Sequence, residues 1–427
     1  MKTNPGYKTI LFFLLLIGIA ACGPQKIVKI DRNLSYIYNP GTSPLNPRYV
    51  VFHDNENTSN VTGKIFPNEL LFNQANPENE LQARLEIRYE LYELNDEGQV
   101  KNLNDSARFR YTLRKEAIRH RFFMDMTIPA IRGRQYLLKI FTHDLQRRTS
   151  TQNIIYVDKR NAYSEQNFRV IRSKSSLLLF NPFIIGSDAF NIHYPYPVDS
   201  LYILYYPKEE QLPRPIFYEA ASTGLYERPD SIWKIANEPF QEYTYNEEGL
   251  YYLQADTSIN EGISLLAFGE SFPKITTPEL MLGPTAYITT SVEFRELSEQ
   301  KNLKLAIDNF WLDKTNNVER ARELIRIYYN RVYFANYYFT NYIEGWKTDQ
   351  GMIYIIYGPP DSIEKDVDKE RWIYYKKNTT SPISFTFRRT PNRFSDMVFT
   401  LQRSESYNIS WRQAVDSWRD GEVFLLD

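Results

Sequence analysis

Apolar and polar residues alternate with a period of two through residues 48–160. The runs 49–53, 60–66, 81–91, 107–113, 121–127, 135–141 and 153–157 have this character, separated by turn-forming residues. In the clearest of them Leu85, Ile87, Tyr89 and Leu91 face one way and Arg84, Glu86, Arg88 and Glu90 the other, the pattern of a half-buried antiparallel strand. Seven such runs predict a β-sandwich over residues 48–160. A second set, 176–180, 201–206, 249–255 and 262–268, predicts another sandwich-like domain over 168–294. Its connections are made irregular by Pro195, Pro197, Pro207, Pro213 and Pro215.

The period changes near Ser298. Leu303, Ile307, Phe310 and Trp311 share one face of a short helix that ends over residues 313–316. Asn316 with Glu319 reads as a capping box opening the next helix. There Val318, Ala321, Ile325, Tyr328, Val332, Ala335 and Phe339 recur at steps of three and four, a stripe suited to packing on a sheet. Tyr329, Tyr333 and Tyr337 widen it beyond a coiled-coil seam. The helix empties into Gly345-Trp346-Lys347-Thr348-Asp349. Residues 352–357 read as a strand closed by a turn at Gly358-Pro359-Pro360-Asp361. The expected fold is therefore mainly β, two β-sandwich-like domains followed by an α+β domain over 298–427.

Residues 316–361, with Arg371-Trp372-Ile373-Tyr374-Tyr375 downstream, resemble the GWxTD domain family of bacterial envelope proteins. Gly345, Trp346, Thr348 and Asp349 all match its motif. The resemblance covers the last third of the chain and brings no activity with it. In physical terms Gly345 can take the positive φ that ends a helix, and Trp346 can bury its ring over the junction. Thr348 and Asp349 can accept backbone hydrogen bonds in a turn before Gly351. As a turn acceptor, Asp349 should tolerate asparagine at a loss of about 1 kcal/mol or less. The order of strand, Gly-Pro turn and Trp-x-Tyr strand is also similar to small lipoproteins of the outer-membrane barrel-assembly machinery.

No catalytic residue can be assigned. His53, His120, His143 and His193 lie far apart without zinc-ligand spacing, and no nucleophile elbow, Walker loop or dinucleotide fingerprint occurs. Glu209-Glu210 and Glu247-Glu248 sit beside turn-forming residues and read as solvated loop charges. No metal or cofactor is expected. Lys and Arg total 51 against 52 Asp and Glu with no basic stripe, which excludes nucleic acid as a partner. The 33 tyrosines and 26 phenylalanines fit β-sheet cores and edges before glycan-stacking platforms.

The N-terminus sets the compartment. Lys2 and Lys8 precede a short apolar run over residues 10–21, a signal peptide too short to span a bilayer. Ile19-Ala20-Ala21-Cys22 resembles the bacterial lipobox, and Cys22 is the only cysteine of the 427 residues. The resemblance implies cleavage after residue 21 and acylation of Cys22, anchoring the chain to the membrane. Residues 22–47 form the expected tether, and its first acidic residue, Asp31, is too distant for a surface-export signal, which places the chain on the periplasmic face of the outer membrane. Asp-Ser-apolar triplets make Ser106, Ser200, Ser231 and Ser362 candidates for periplasmic O-glycosylation. The function expected is that of a non-enzymatic scaffold or interaction lipoprotein with protein partners in an assembly, secretion or envelope-maintenance complex. The alternative is a glycan-binding or glycan-cleaving lipoprotein, marked by a groove of Trp and Tyr with two carboxylates roughly 5–10 Å apart.

Overall fold

A computed structural model describes residues 33–39, 45–74, 80–118, 120–186, 188–208, 214–217, 226, 228–238, 241–245, 247–366, 368–375, 382–395 and 398–424. The signal segment 1–21, Cys22, the tether to residue 32 and Glu209-Glu210 lie outside them. Seven strands come first: β1 (Arg48–His53), β2 (Ser59–Ile65), β3 (Gln82–Leu94), β4 (Val100–Arg114), β5 (Phe122–Ile128), β6 (Arg134–Asp144) and β7 (Thr149–Lys159). Each of the seven alternating runs forms one of them. They build two antiparallel sheets, β1-β2-β5 and β4-β3-β6-β7. Leu85, Ile87, Tyr89 and Leu91 are buried between the sheets with Val61, Met126, Leu138 and Ile140, so alternation in the sequence becomes one shared core.

The second region holds β8 (Arg169–Arg172), β9 (Leu177–Leu178), β10 (Phe183–Ile185), β11 (Phe190–His193), β12 (Ser200–Pro207), β13 (Ser231–Ala236), β14 (Glu242–Tyr243), β15 (Gly249–Gln254) and β16 (Ile263–Phe268). They form the sheets β14-β11-β8-β9 and β10-β16-β15-β12-β13. Strands β12, β15 and β16 of the larger sheet are buried on both faces. Ile203, Leu253 and Leu265 meet Val170, Phe190 and Ile192 of the smaller sheet, while Tyr206, Tyr252 and Leu266 on the other face meet Phe394 and Tyr342 from the last third of the chain. It is the middle layer of a three-layer stack, which explains why every residue of β15 is buried.

The last third contains α1 (Pro278–Thr285), α2 (Ser291–Ser298), α3 (Leu303–Thr315), α4 (Val318–Phe339), α5 (Asp349–Tyr357), β17 (Ser362–Lys365), β18 (Lys369–Tyr374), β19 (Ile383–Arg389), β20 (Phe399–Leu401) and α6 (Asn408–Arg419). The last four strands form one antiparallel sheet. Among the described residues α-helix thus begins at Pro278, inside the region expected to be sandwich. The helix caps explain it: Thr277 accepts from the N–H of Leu280, and Thr290 with Glu293 forms a complete capping box. No capping box spans Asn316 and Glu319. Asn316 ends α3 in the left-handed conformation and Asn317 caps α4. Along α4, Ala321, Tyr328, Val332, Ala335 and Phe339 are buried as the stripe requires, but Val318 is exposed and Leu324 takes the buried place next to Ile325.

Residues 352–357 are not a strand. They are the body of α5, buried all round, which erases the helical period from the sequence. Part of the expected tether is also something else. Around a short 3₁₀ turn (Ser35–Ile37), Leu34 and Tyr38 are buried against the last third. The N–H of Leu34 donates to the Ile363 carbonyl at 3.1 Å, and the Tyr354 hydroxyl donates to the Tyr38 carbonyl at 2.8 Å. Tyr38 packs on Phe339 and Trp372 at 4.8 and 5.4 Å, and the Tyr36 hydroxyl reaches the Gln152 carbonyl of β7 at 2.9 Å. Residues 33–39 therefore strap the C-terminal sheet to the first sandwich.

Candidate functional site

Between α4 and α5 the chain makes a tight turn. Gly345–Lys347 form a 3₁₀ turn that passes so close to α4 that a Cβ on Gly345 would lie 2.1 Å from the Ala335 carbonyl oxygen. The glycine serves close approach, and Gly345 is not among the residues with positive φ. The N–H of Gly345 donates to Thr340 Oγ1 at 2.9 Å, and that of Trp346 to Oδ1 of buried Asn336 at 3.0 Å. These bonds satisfy backbone groups left over where a helix ends. Trp346 is 7% exposed, its ring edge-on to Tyr287, and its carbonyl accepts from the Tyr287 hydroxyl at 2.7 Å. A Cβ on Gly283 of α1 would lie 2.8 Å from the indole, so α1 is fitted to that ring.

Thr348 is the N-cap of α5. Its hydroxyl accepts from the N–H of Gly351 at 3.0 Å and donates to the Gly345 carbonyl at 2.7 Å. A Cβ on Gly351 would fall 1.9 Å from that carbonyl oxygen. Asp349, the first residue of α5, is placed favourably for the helix dipole. It does more than accept in a turn. Its Oδ1 pairs with Arg403 Nη2 at 2.5 Å, while Oδ2 takes Arg403 Nη1 at 2.9 Å and the N–H of Leu401 at 2.8 Å. The two side chains are 10% and 5% exposed. This bidentate pair bolts α5 to β20 and engages both carboxylate oxygens.

The far end of α5 is closed as tightly. Gly358 takes a φ of +87°, and Arg331 of α4 donates to the carbonyls of Ile355 and Ile356 at 3.0 and 3.1 Å. Trp418 of α6 donates to the Ile356 carbonyl at 3.0 Å, and the Tyr374 hydroxyl to that of Gly358 at 2.9 Å. Pro359 and Pro360 then turn the chain into β17, with Pro360 buried.

An 810 Å³ cleft opens beside the turn, walled by Trp346, Gly283, Phe268, Phe272 and Leu280. Four of the charged residues on its wall are paired. Lys347 meets Glu344 at 2.6 Å, and Lys208 meets Glu344 and Glu248 at 3.3 Å each. Burial acts to lower the Lys208 pKa, but Glu344 and Glu248 outweigh it and hold the ammonium above the usual lysine value. It is therefore no candidate for a neutral amine nucleophile. His53 is fully buried in the first sandwich. Its Nε2 donates to the Asp158 carbonyl and its Nδ1 accepts from Ser59, each at 2.8 Å, and burial lowers its pKa to about 4. Among the described residues no group of His, Cys, Asp and Glu could hold a metal ion.

The sequence profile of the GWxTD domain matches residues 249–420. The chain carries a GWxTD domain. The matched region begins at β15, so the GWxTD domain includes two central strands of the middle layer along with the helices and the last sheet. No curated protein matches the chain. Among solved structures, a transglutaminase of red sea bream aligns over 54% of this chain and 32% of that one, about a third of the enzyme's length. At 7% identity and a TM-score of 0.20 that likeness carries no argument.

The structure thus gathers Gly345, Trp346, Thr348, Asp349 and Gly358 around α5, and adds Arg403, Arg331, Asn336 and Tyr287, which had no local signature. The four serines are dispersed. Ser106 is exposed on β4, while Ser200, Ser231 and Ser362 each open a strand and are half-buried. Two of the accompanying aspartates have local work. Asp230 accepts from the Ser231 hydroxyl at 2.7 Å, and Asp361 from the N–H of Tyr375 at 2.8 Å.

Proposed function

We propose that this GWxTD-domain chain is a non-enzymatic interaction lipoprotein of the bacterial outer membrane. It is held by acylated Cys22 on the periplasmic face and docks protein partners of an envelope assembly on a sheet edge. The observation that carries the reading is β4. This strand runs 15 residues, pairs on one side with β3 and has no strand on its other side among the described residues. Most strands have about 5–6 residues, and long bare edges are normally blunted because they recruit other chains. On β4 only Leu113 is fully buried, and Leu103 is 52% exposed. Such an edge can take an added strand through main-chain hydrogen bonds without any catalytic residue. The engagement of both Asp349 oxygens by Arg403 and Leu401 fits an architectural role for the motif. No helix among the described residues is long and apolar enough to cross a membrane.

A photo-crosslinking residue at position 103, with one at exposed Ile409 of α6 as the control, tests the docking. A discrete protein adduct from position 103 alone is the expected result in native cells. Equal or absent adducts at both positions overturn it. For the anchor, Cys22→Ala should move the chain to the soluble fraction, and salt-resistant retention of that variant in the membrane removes the lipid-anchor reading.

A further inference from the structure

The second sandwich is open at one end. Its smaller sheet finishes in the two-residue β14, whereas the larger sheet extends to the edge strand β13. Trp233 on β13 is the register partner of core-facing Ile203, so it sits on the inner face, yet it remains 43% exposed. It lies 6.1 Å from Tyr205 at an interplanar angle of 29° and 6.2 Å from Tyr251 at 21°. Tyr251 in turn stacks on Tyr245 at 3.5 Å and 5°. Most of these rings are close to parallel, and they line a 330 Å³ groove. That is the lower end of the roughly 300–1,000 Å³ of small-ligand sites.

The polar lining is made of oxygens. Asp230 and Glu247 are exposed at the groove, and among the described residues no lysine or arginine lines it. Burial and the Glu247 carboxylate beside it push the Tyr205 hydroxyl up to about 12, so it stays a neutral phenol. The buried Tyr245 hydroxyl has no hydrogen-bond partner, in contrast to those of Tyr205 and Tyr251, which donate to backbone carbonyls at 3.0 Å. A buried hydroxyl left unbonded is uncommon and calls for an explanation.

We propose that this groove binds a neutral carbohydrate chain, one pyranose face lying on Trp233 while sugar hydroxyls donate to Asp230 and Glu247. Aromatic faces attract the C–H faces of sugars, carboxylates accept from hydroxyls, and the same carboxylates repel phosphorylated or acidic polymers. A proline-rich peptide is the rival for an aromatic groove, but Tyr205, Tyr245 and Tyr251 are buried and only Trp233 is open, a single flat face where such a peptide needs crevices between several exposed rings. The site is separate from β4, so it stands or falls independently of the docking edge.

The test uses the full chain in a detergent without a sugar headgroup. The hexamer of N-acetylglucosamine, cellohexaose and a deca-proline peptide are titrated while tryptophan fluorescence and binding heat are recorded. The expected result is saturable binding of at least one of the two oligosaccharides, weakened tenfold or more by Trp233→Ala and less than threefold by Trp233→Tyr. Asp230→Asn with Glu247→Gln should weaken it at least threefold, with the melting temperature unchanged in all variants. The proposal is overturned by the absence of oligosaccharide binding, by equal binding to Trp233→Ala, or by Trp233-dependent binding of the peptide alone.

Discussion

The turn before α5 and the mouth of the second sandwich are built from the same materials, a tryptophan, tyrosines, an aspartate and a glutamate, and they put them to opposite use. At the turn Trp346 is 7% exposed and Asp349 meets three donors. At the mouth Trp233 is 43% exposed and the Tyr245 hydroxyl meets none. The memorable motif marks where the chain has used up its polar groups in holding itself together. The groups left unengaged, Trp233 on the edge strand β13 and the Tyr245 hydroxyl between β14 and β15, belong to no motif at all.

The largest expected effect tests the closed member of the pair. Trp346→Ala should destabilise by about 3–5 kcal/mol in chemical denaturation and expose the last third to protease. A loss below about 1 kcal/mol would mean that the indole is not what α1 and α4 are packed on. Next, Asp349→Asn should lose about 2–3 kcal/mol, because it leaves the buried Arg403 guanidinium without its counter-charge. This revises the small loss expected of a turn acceptor. Adding Arg403→Met should recover part of the loss, and strict additivity of the two variants would show that the pair is not coupled.

A used-up group in the first sandwich should be visible in pH dependence. His53 is neutral in the folded chain down to about pH 4, whereas in the unfolded chain it protonates near the ordinary value of 6.5. The unfolded state therefore binds the extra proton between those values. Stability should be flat above pH 6.5 for this group and fall as pH drops from 6.5 to about 4, by on the order of 2–3 kcal/mol. A His53→Gln variant whose stability falls just as steeply across that window would refute the assignment. The smallest effect belongs to the open member. Trp233→Ala should change stability by less than about 1 kcal/mol, and a larger loss would make the mouth a piece of core.

Much of the layout was legible. The seven runs of the first sandwich, α3 and α4 were read from period, most plainly where one face is wet and the other dry as in β2, β3 and β5, and the Trp-x-Tyr strand β18 from its resemblance to a family pattern. Residues 352–357 carry no such record. Met352, Ile353, Tyr354, Ile355, Ile356 and Tyr357 are dry on every side, and such a run with Gly and Pro behind it looks the same as a buried strand. Thr348 capping Gly351 was the available clue. Strands of two to four residues such as β8, β10, β11 and β14 are too short to show any period. Arg403 was out of reach because it meets Asp349 across 54 positions, a distance that only the completed sheet closes.

The strap at residues 33–39 ties the two ends of the chain together. The N–H of Leu34 bonds to Ile363 of β17 while the Tyr36 hydroxyl bonds to Gln152 of β7, so one short segment holds the last sheet against the first sandwich. A break in the backbone near residue 39 would open that clasp, and damage close to one end of the sequence would be felt by the domain at the other.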